Sequence, residues 1–182
     1  RVITLYGDAW DGGALVTTGE NFADALAGAP LAAGVGWPVV LANPVTGDVY
    51  MPDGMDVAVI LGGTGALPAT VEMALKNSPL SNQDVVRIGG ATRYETAAMA
   101  AEFGVENGLL WNGVGIATGE NFPDALSGGA LQGQSGSVMA LTLTAQLPGV
   151  VSNGLAGERD FIEQVRFLGG TGAVSQNVRD QV

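Results

Sequence analysis

TGENFADALAG at residues 18–28 and TGENFPDALSG at residues 118–128 spell nearly the same word one hundred positions apart. A second pair, ILGGTGAL at 60–67 and FLGGTGAV at 167–174, follows in the same order. The first word is displaced by 100 positions and the second by 107. Two words kept in order, with a gap that grows by seven residues, mark a duplicated unit with a short insertion in its second copy. The first unit is expected at residues 1–84 and the second at 85–182. The inserted residues are expected in 145–157, whose Gly, Asn and Ser content is that of a loop.

Short apolar runs alternate with helical patterns. In the first unit, strands are expected at 14–17, 38–42 (PVVLA) and 57–61 (VAVIL). A helix of small residues and leucines should span 24–33, and another 69–77, with Pro68 at its start and Pro79 ending it. In the second unit, strands are expected at 85–88, 115–118, 137–141 and 165–168. Thr92-Arg93-Tyr94-Glu95 has the spacing of a capping box, with a helix running to about Phe103. Pro123 opens the next helix, and 174–180 forms the last. Continuously apolar strands alternating with helices imply an α/β fold, with parallel sheets covered by helices. Residues 1–13 contain no counterpart of RIGGATRYETAAMAA, so that element is either cut away or supplied by a neighbouring repeat.

The length of 182 residues suits one medium domain or two small ones. At 47% apolar and 14% charged, the chain can build a packed core. Lys76 and six arginines face eighteen acids, for a net charge of −11. Such a surface is a poor partner for nucleic acid or an anionic membrane, and it suits a glycine-rich protein kept soluble in a salty medium. With no Cys and no His, disulfides, thiolate catalysis, Ser-His-Asp triads and the usual zinc sites are excluded. No apolar run reaches membrane-spanning length, and no secretory leader is visible. The chain opens at Arg1, inside a strand-like pattern, and is expected to be a piece of a longer protein whose remainder carried a targeting signal.

A strand that ends in a glycine-containing loop and feeds a helix aims backbone N–H groups and the positive helix end into one crevice. In open α/β sheets that rim is where ligands sit. The GENF and GGTG loops place Gly19, Glu20, Asn21, Asp24, Gly62, Gly63 and Thr64 there in the first unit. Gly119, Glu120, Asn121, Asp124, Gly169, Gly170 and Thr171 occupy it in the second. GGTGAL matches neither a dinucleotide GxGxxG nor a GxxxxGK[ST] loop, and its glycines serve equally well as turn and close-packing residues. The pairs Glu20/Asp24 and Glu120/Asp124 could hold Mg²⁺ in a toprim-like phosphoesterase, or simply meet orphan N–H groups at a helix start. No third acid recurs with them, which favours the helix-start reading, and Arg93 is the obvious ionic partner for such an Asp. Tyr94 could stack on a sugar, though a Tyr at this place more often packs on the sheet. Trp10, Trp37 and Trp111 do not align between the copies.

VVRIGGATRYETAAMAA, GIATGENFPDALSGGAL and VRFLGGTGAVSQNV together resemble one unit of the cell wall binding repeat 2 family. ALVTTGENFADALAGAPLAAGVGWPVVLAN and VAVILGGTGALPATVEMAL resemble the later part of another. The resemblance implies tandem Rossmann-like or toprim-like units, commonly three around a pseudo-threefold axis, in exported surface proteins of Gram-positive bacteria. It implies non-covalent, non-catalytic anchoring to the cell wall through an anionic secondary wall polymer. It also allows an alternative role in packing repeats or chains together, as a homo-oligomer. Three features set this chain apart: the missing lead element of the first unit, SVMALT where the first unit has PVVLAN, and the acidity. An acidic protein must hold an acidic polymer locally, through Arg87 and Arg93, helix N-termini, or bridging Ca²⁺ or Mg²⁺, or else recognise another wall component.

Overall fold

A computed structural model describes residues 10–78 and 84–182. The first copy supplies β1 (Gly13–Thr18), α1 (Phe22–Ala27), α2 (Ala29–Val35), β2 (Val39–Ala42), β3 (Val57–Leu61) and α3 (Ala69–Lys76). Next come β4 (Asp84–Ile88), α4 (Arg93–Glu106), β5 (Leu110–Thr118), α5 (Pro123–Gln134) and β6 (Ser137–Thr142). The chain continues through α6 (Gly149–Gly157), a 3-10 turn (Arg159–Phe161), β7 (Arg166–Leu168) and α7 (Gln176–Arg179).

The strands form two parallel sheets, ordered β2-β1-β3-β4 and β6-β5-β7. β4 therefore joins the sheet of the first copy, pairing Ile60 with Arg87 and Leu61 with Ile88. The sheet crosses the boundary expected at 84/85, so the sequence repeat and the sheet are out of phase. Local patterning identifies β4 as a strand but carries no information about its long-range partner. Arg87 holds the joint: its Nε lies 3.0 Å from Glu72 on α3, and its Nη1 donates to the carbonyls of Gly62 and Leu67, each at 3.0 Å.

One hydrophobic core runs through both copies and includes Leu15, Leu61, Ile116 and Met139. A smaller cluster of Val16, Ile60, Val71 and Leu75 lies within the first copy. The copies meet most closely where α2 packs on α5. Small residues make that approach possible. A Cβ on Gly133 would lie 2.6 Å from the Ala33 Cβ and 2.8 Å from the Gly34 nitrogen, and would also strike the Pro30 carbonyl.

The helix expected over 24–33 is two helices that meet at Gly28. Pro30 falls in the first turn of α2, where its missing N–H costs nothing, and so begins a helix rather than continuing one. Residues 145–157, expected as a loop, contain α6 instead. Pro148 caps it in extended conformation, and Val151 and Leu155, one helical turn apart, bury its inner face. The composition hid an amphipathic spacing. The last helix is also shorter than the expected 174–180, and Pro79 lies outside the described residues.

Two glycines separate packing from propensity. Gly133→Ala should destabilise by about 1–3 kcal/mol through overpacking against a neighbouring backbone. Gly154→Ala, inside α6 with open space around the added methyl, should stabilise by about 0.5–1 kcal/mol. Urea denaturation of the two variants measures both signs.

Candidate functional site

Because the strands within each sheet are parallel, their carboxyl ends share one rim. In the first sheet, the loops after β1, β3 and β4 converge there. They enclose a crevice of about 500 Å³ lined by Asn21, Asp24, Gly63, Gly65 and Ala66, and by residues 90–94 and Thr96. One wall comes from the first sequence copy and the other from the second. Asn21 caps α1 by accepting the Ala23 N–H at 3.2 Å. The expected capping box is present: Thr92 Oγ1 accepts the Glu95 N–H at 3.3 Å, and Glu95 accepts the Thr92 N–H at 3.1 Å. This box points the N-terminus of the fourteen-residue α4 across the rim.

Asp24 lies beneath the GGTG loop and is only 6% exposed. Gly62 has φ +114°, and a Cβ there would stand 2.7 Å from Asp24 Oδ2, so both backbone and space require glycine. Burial raises the Asp24 pKa, and the positive charge of Arg93 partly opposes it. Among the described residues Arg93 makes no ion pair with Asp24; it acts on it through space. The Arg93 Nη1 instead donates to the Gly119 carbonyl at 2.5 Å, tying the crevice to the GENF loop of the second copy. Its guanidinium also lies 6.0 Å from the centre of the Phe22 ring. Phe22 and Phe122, the phenylalanines of the two GENF words, meet at 5.4 Å with a 58° tilt. That pair was not singled out in the sequence, although its recurrence in both words was visible.

Gly119 is needed for the same close approach, since a Cβ there would lie 3.0 Å from Tyr94 Cε1 and 3.2 Å from Arg93 Cδ. Tyr94 packs on the core, and burial together with the Glu120 charge raises its hydroxyl pKa, with Arg93 opposing. Glu120 accepts the Thr144 N–H at 2.7 Å; this bond and the Thr144 hydroxyl hold its pKa below the ordinary value. Glu20, its counterpart 100 positions earlier, is exposed, and the position matching Thr144 is Pro44, which has no N–H to give.

The candidates thus divide. Asn21, Asp24, Gly63 and Arg93 line one crevice. Gly19, Glu20 and Thr64 sit exposed on the same rim, while Gly62 is buried in its floor. Arg87 is turned away and engaged by Glu72 and two carbonyls. In the second copy Asp124 again lies under the GGTG glycine, Gly169 (φ +102°). There, no described residue takes the place that residues 90–94 hold in the first. Asn121, Gly169, Gly170 and Thr171 are accordingly exposed, and Asp124 is only half-buried. Among the described residues no group of three or more Asp or Glu is placed to hold a metal ion. No helix is long and apolar enough to cross a membrane, among the described residues.

The model of cell wall binding domain 2 (CWB2) matches residues 2–72 and 87–179. The chain belongs to this family. Its fold is similar to that of two solved structures. Cwp6 from Clostridium difficile superposes with a TM-score of 0.80 at 23% identity, over 99% of this chain and 28% of that one. Cwp8 from Clostridium difficile gives 0.72 at 22%, over 93% of this chain and 28% of that one. In sequence, this CWB2 chain is 29% identical over 174 residues to the N-acetylmuramoyl-L-alanine amidase LytC of Bacillus subtilis (strain 168), spanning 93% of this chain and 33% of that protein. It is 28% identical over 172 residues to the amidase enhancer of the same organism, spanning 93% of this chain and 22% of that protein. The chain therefore spans a third or less of these relatives. The family places it as a cell wall binding module associated with the wall or surface.

Asp24 gives a pH test. Its pKa is raised on folding, so the cost of ionising it is absent below its unfolded value and complete above its folded one. Asp24→Asn should therefore raise the thermal midpoint at pH 7, and the gain should vanish below about pH 3.9, the ordinary aspartate value. Thermal melts of both proteins across that range check the sign.

Proposed function

We propose that this chain is a non-catalytic anchor that holds an anionic secondary cell-wall polymer at the extracellular surface, with the inter-repeat crevice as its binding site. The observation that carries this reading is the juxtaposition of Arg93, the α4 N-terminus and the glycine-edged GGTG loop in one crevice of a CWB2 chain. An arginine and the helix-end N–H groups that the capping box does not use suit an anionic group, while Asn21 and Thr92 offer neutral partners for sugar hydroxyls. Local charge of this kind answers the net charge of −11, because a contact at the crevice is screened from acids more than a Debye length away. Ca²⁺ or Mg²⁺ bridging would have to use the polymer's own anions beside Asp24. Two repeats, 1–84 and 85–182, act together in this reading, since each contributes a wall.

A second role, packing repeats against one another, is supported by the α2–α5 contact and the common core. Light scattering separates packing within one chain from self-association: a strict monomer limits the role to the former.

Co-sedimentation with cell walls, before and after acid extraction of secondary polymers and with or without Ca²⁺, tests the anchor. Retention is expected to disappear after extraction. Arg93→Ala should weaken it about 10- to 100-fold, the value of a hydrogen bond to a charged group, with Arg93→Lys recovering part. Retention unchanged by extraction, or by Arg93→Ala, would overturn the assignment.

A further inference from the structure

β7 differs from its counterpart in one respect that the anchoring role does not use. The offset of 107 residues between the GGTG words makes Phe167 the equivalent of Ile60, Gly169 of Gly62, Val174 of Leu67 and Arg179 of Glu72. In the first copy β3 is covered by β4, and Val59, Ile60 and Leu61 are fully buried. In the second, no described residue pairs with the outer edge of β7, and Arg166, Phe167 and Leu168 are all half-exposed. Gly62 N–H donates to Ile88 of β4 at 2.8 Å, whereas Gly169 is solvent-exposed.

The side chains at this joint have changed sign. In the first copy the carbonyls of Gly62 and Leu67 are held by Arg87 of the incoming strand, which Glu72 of α3 anchors. In the second, the equivalent carbonyls of Gly169 and Val174 are held by Arg179, at 2.8 and 2.9 Å. Arg179 stands where Glu72 would, and its guanidinium lies 4.7 Å from the centre of the Phe167 ring. Ile60, the counterpart of Phe167, is the register partner of Arg87. A strand laid on β7 as β4 is laid on β3 would thus bring its Arg87-equivalent beside Arg179. An arginine there would meet a like charge and find its carbonyls taken; a carboxylate would meet a cation.

We propose that the outer edge of β7 receives a parallel strand from a further repeat, and that Arg179 selects one bearing a carboxylate, not an arginine, at the position of Arg87. The precedent is the β3–β4 joint of this chain, and the selection follows from charge complementarity. It does not depend on what the crevice binds.

The equivalence of Leu75 and Val182 supplies the test. The full chain is extended after Val182 by a copy of residues 76–90, either unchanged or with Arg87→Glu in the copied segment. Each form is made with Arg179 and with Arg179→Glu. Hydrogen exchange of the Gly169 amide reports docking, and the Gly62 amide serves as internal reference. Exchange is expected to slow at least tenfold, with a higher thermal midpoint, in the two opposite-charge pairings over the two like-charge ones. Failure of every extension to protect Gly169 would overturn the receptor edge. Equal protection by both extensions on the Arg179 chain would overturn the selection. Wall retention of the unextended chain, measured separately, reports on the anchor alone.

Discussion

The grip of Arg87 on Glu72 and on the carbonyls of Gly62 and Leu67 is the contact on which the rest of the molecule is built. It fixes β4 on β3, and β4 leads directly into residues 89–92 and the capping box of α4. That box determines where Arg93 stands and where the α4 N-terminus points. Without the grip, the first rim would lose its second wall, and the Gly62 and Leu67 carbonyls would be left without this donor. Hydrogen bonds to a charged guanidinium contribute roughly 1.5–3 kcal/mol each. The partly exposed ion pair with Glu72 adds less than its short distance suggests, because solvent screens it.

The two rims are built from the same words and are not equivalent. In both copies the N–H of the GENF glutamate donates to the threonine hydroxyl two residues earlier, at 3.1 Å for Glu20 and 3.2 Å for Glu120. Beyond that turn they diverge. Glu120 is clasped by Thr144, while Pro44 denies Glu20 the same bond. The first rim gains its roof from α4, and the second leaves Gly169 to Thr171 open. Nearly identical local words thus produce one two-walled crevice and one bare edge, with much of the difference set by neighbours.

Much of this was legible in the sequence where the signal is local. Apolar runs and the capping box at Thr92 and Glu95 depend on residues a few positions apart, the duplicated words can be matched letter by letter, and β2, β3, β6 and the start of α4 appear close to their expected places. α6 escaped because Gly, Asn and Ser hid the i, i+4 pair Val151 and Leu155. The sheet membership of β4, the tilted contact of Phe22 with Phe122 and the engagement of Arg87 escaped for another reason. Each pairs residues brought together only by the fold, and strand pairing leaves no mark in local periodicity. The glycines, ambiguous between turn and ligand loop, turn out to have a steric duty at Gly62 and Gly119, where a methyl would strike Asp24 or Tyr94.

The phase shift between repeat and sheet bears on how such arrays can grow. An in-frame duplication of one unit copies a donor strand and an acceptor edge in the same event. A tandem copy of the second unit would lay an Arg87 strand against the Arg179 edge, so its new junction would need a reversal of charge at one of those two positions. Arrays of this kind can lengthen by recombination plus a single charge change at the new junction, without inventing a whole interface.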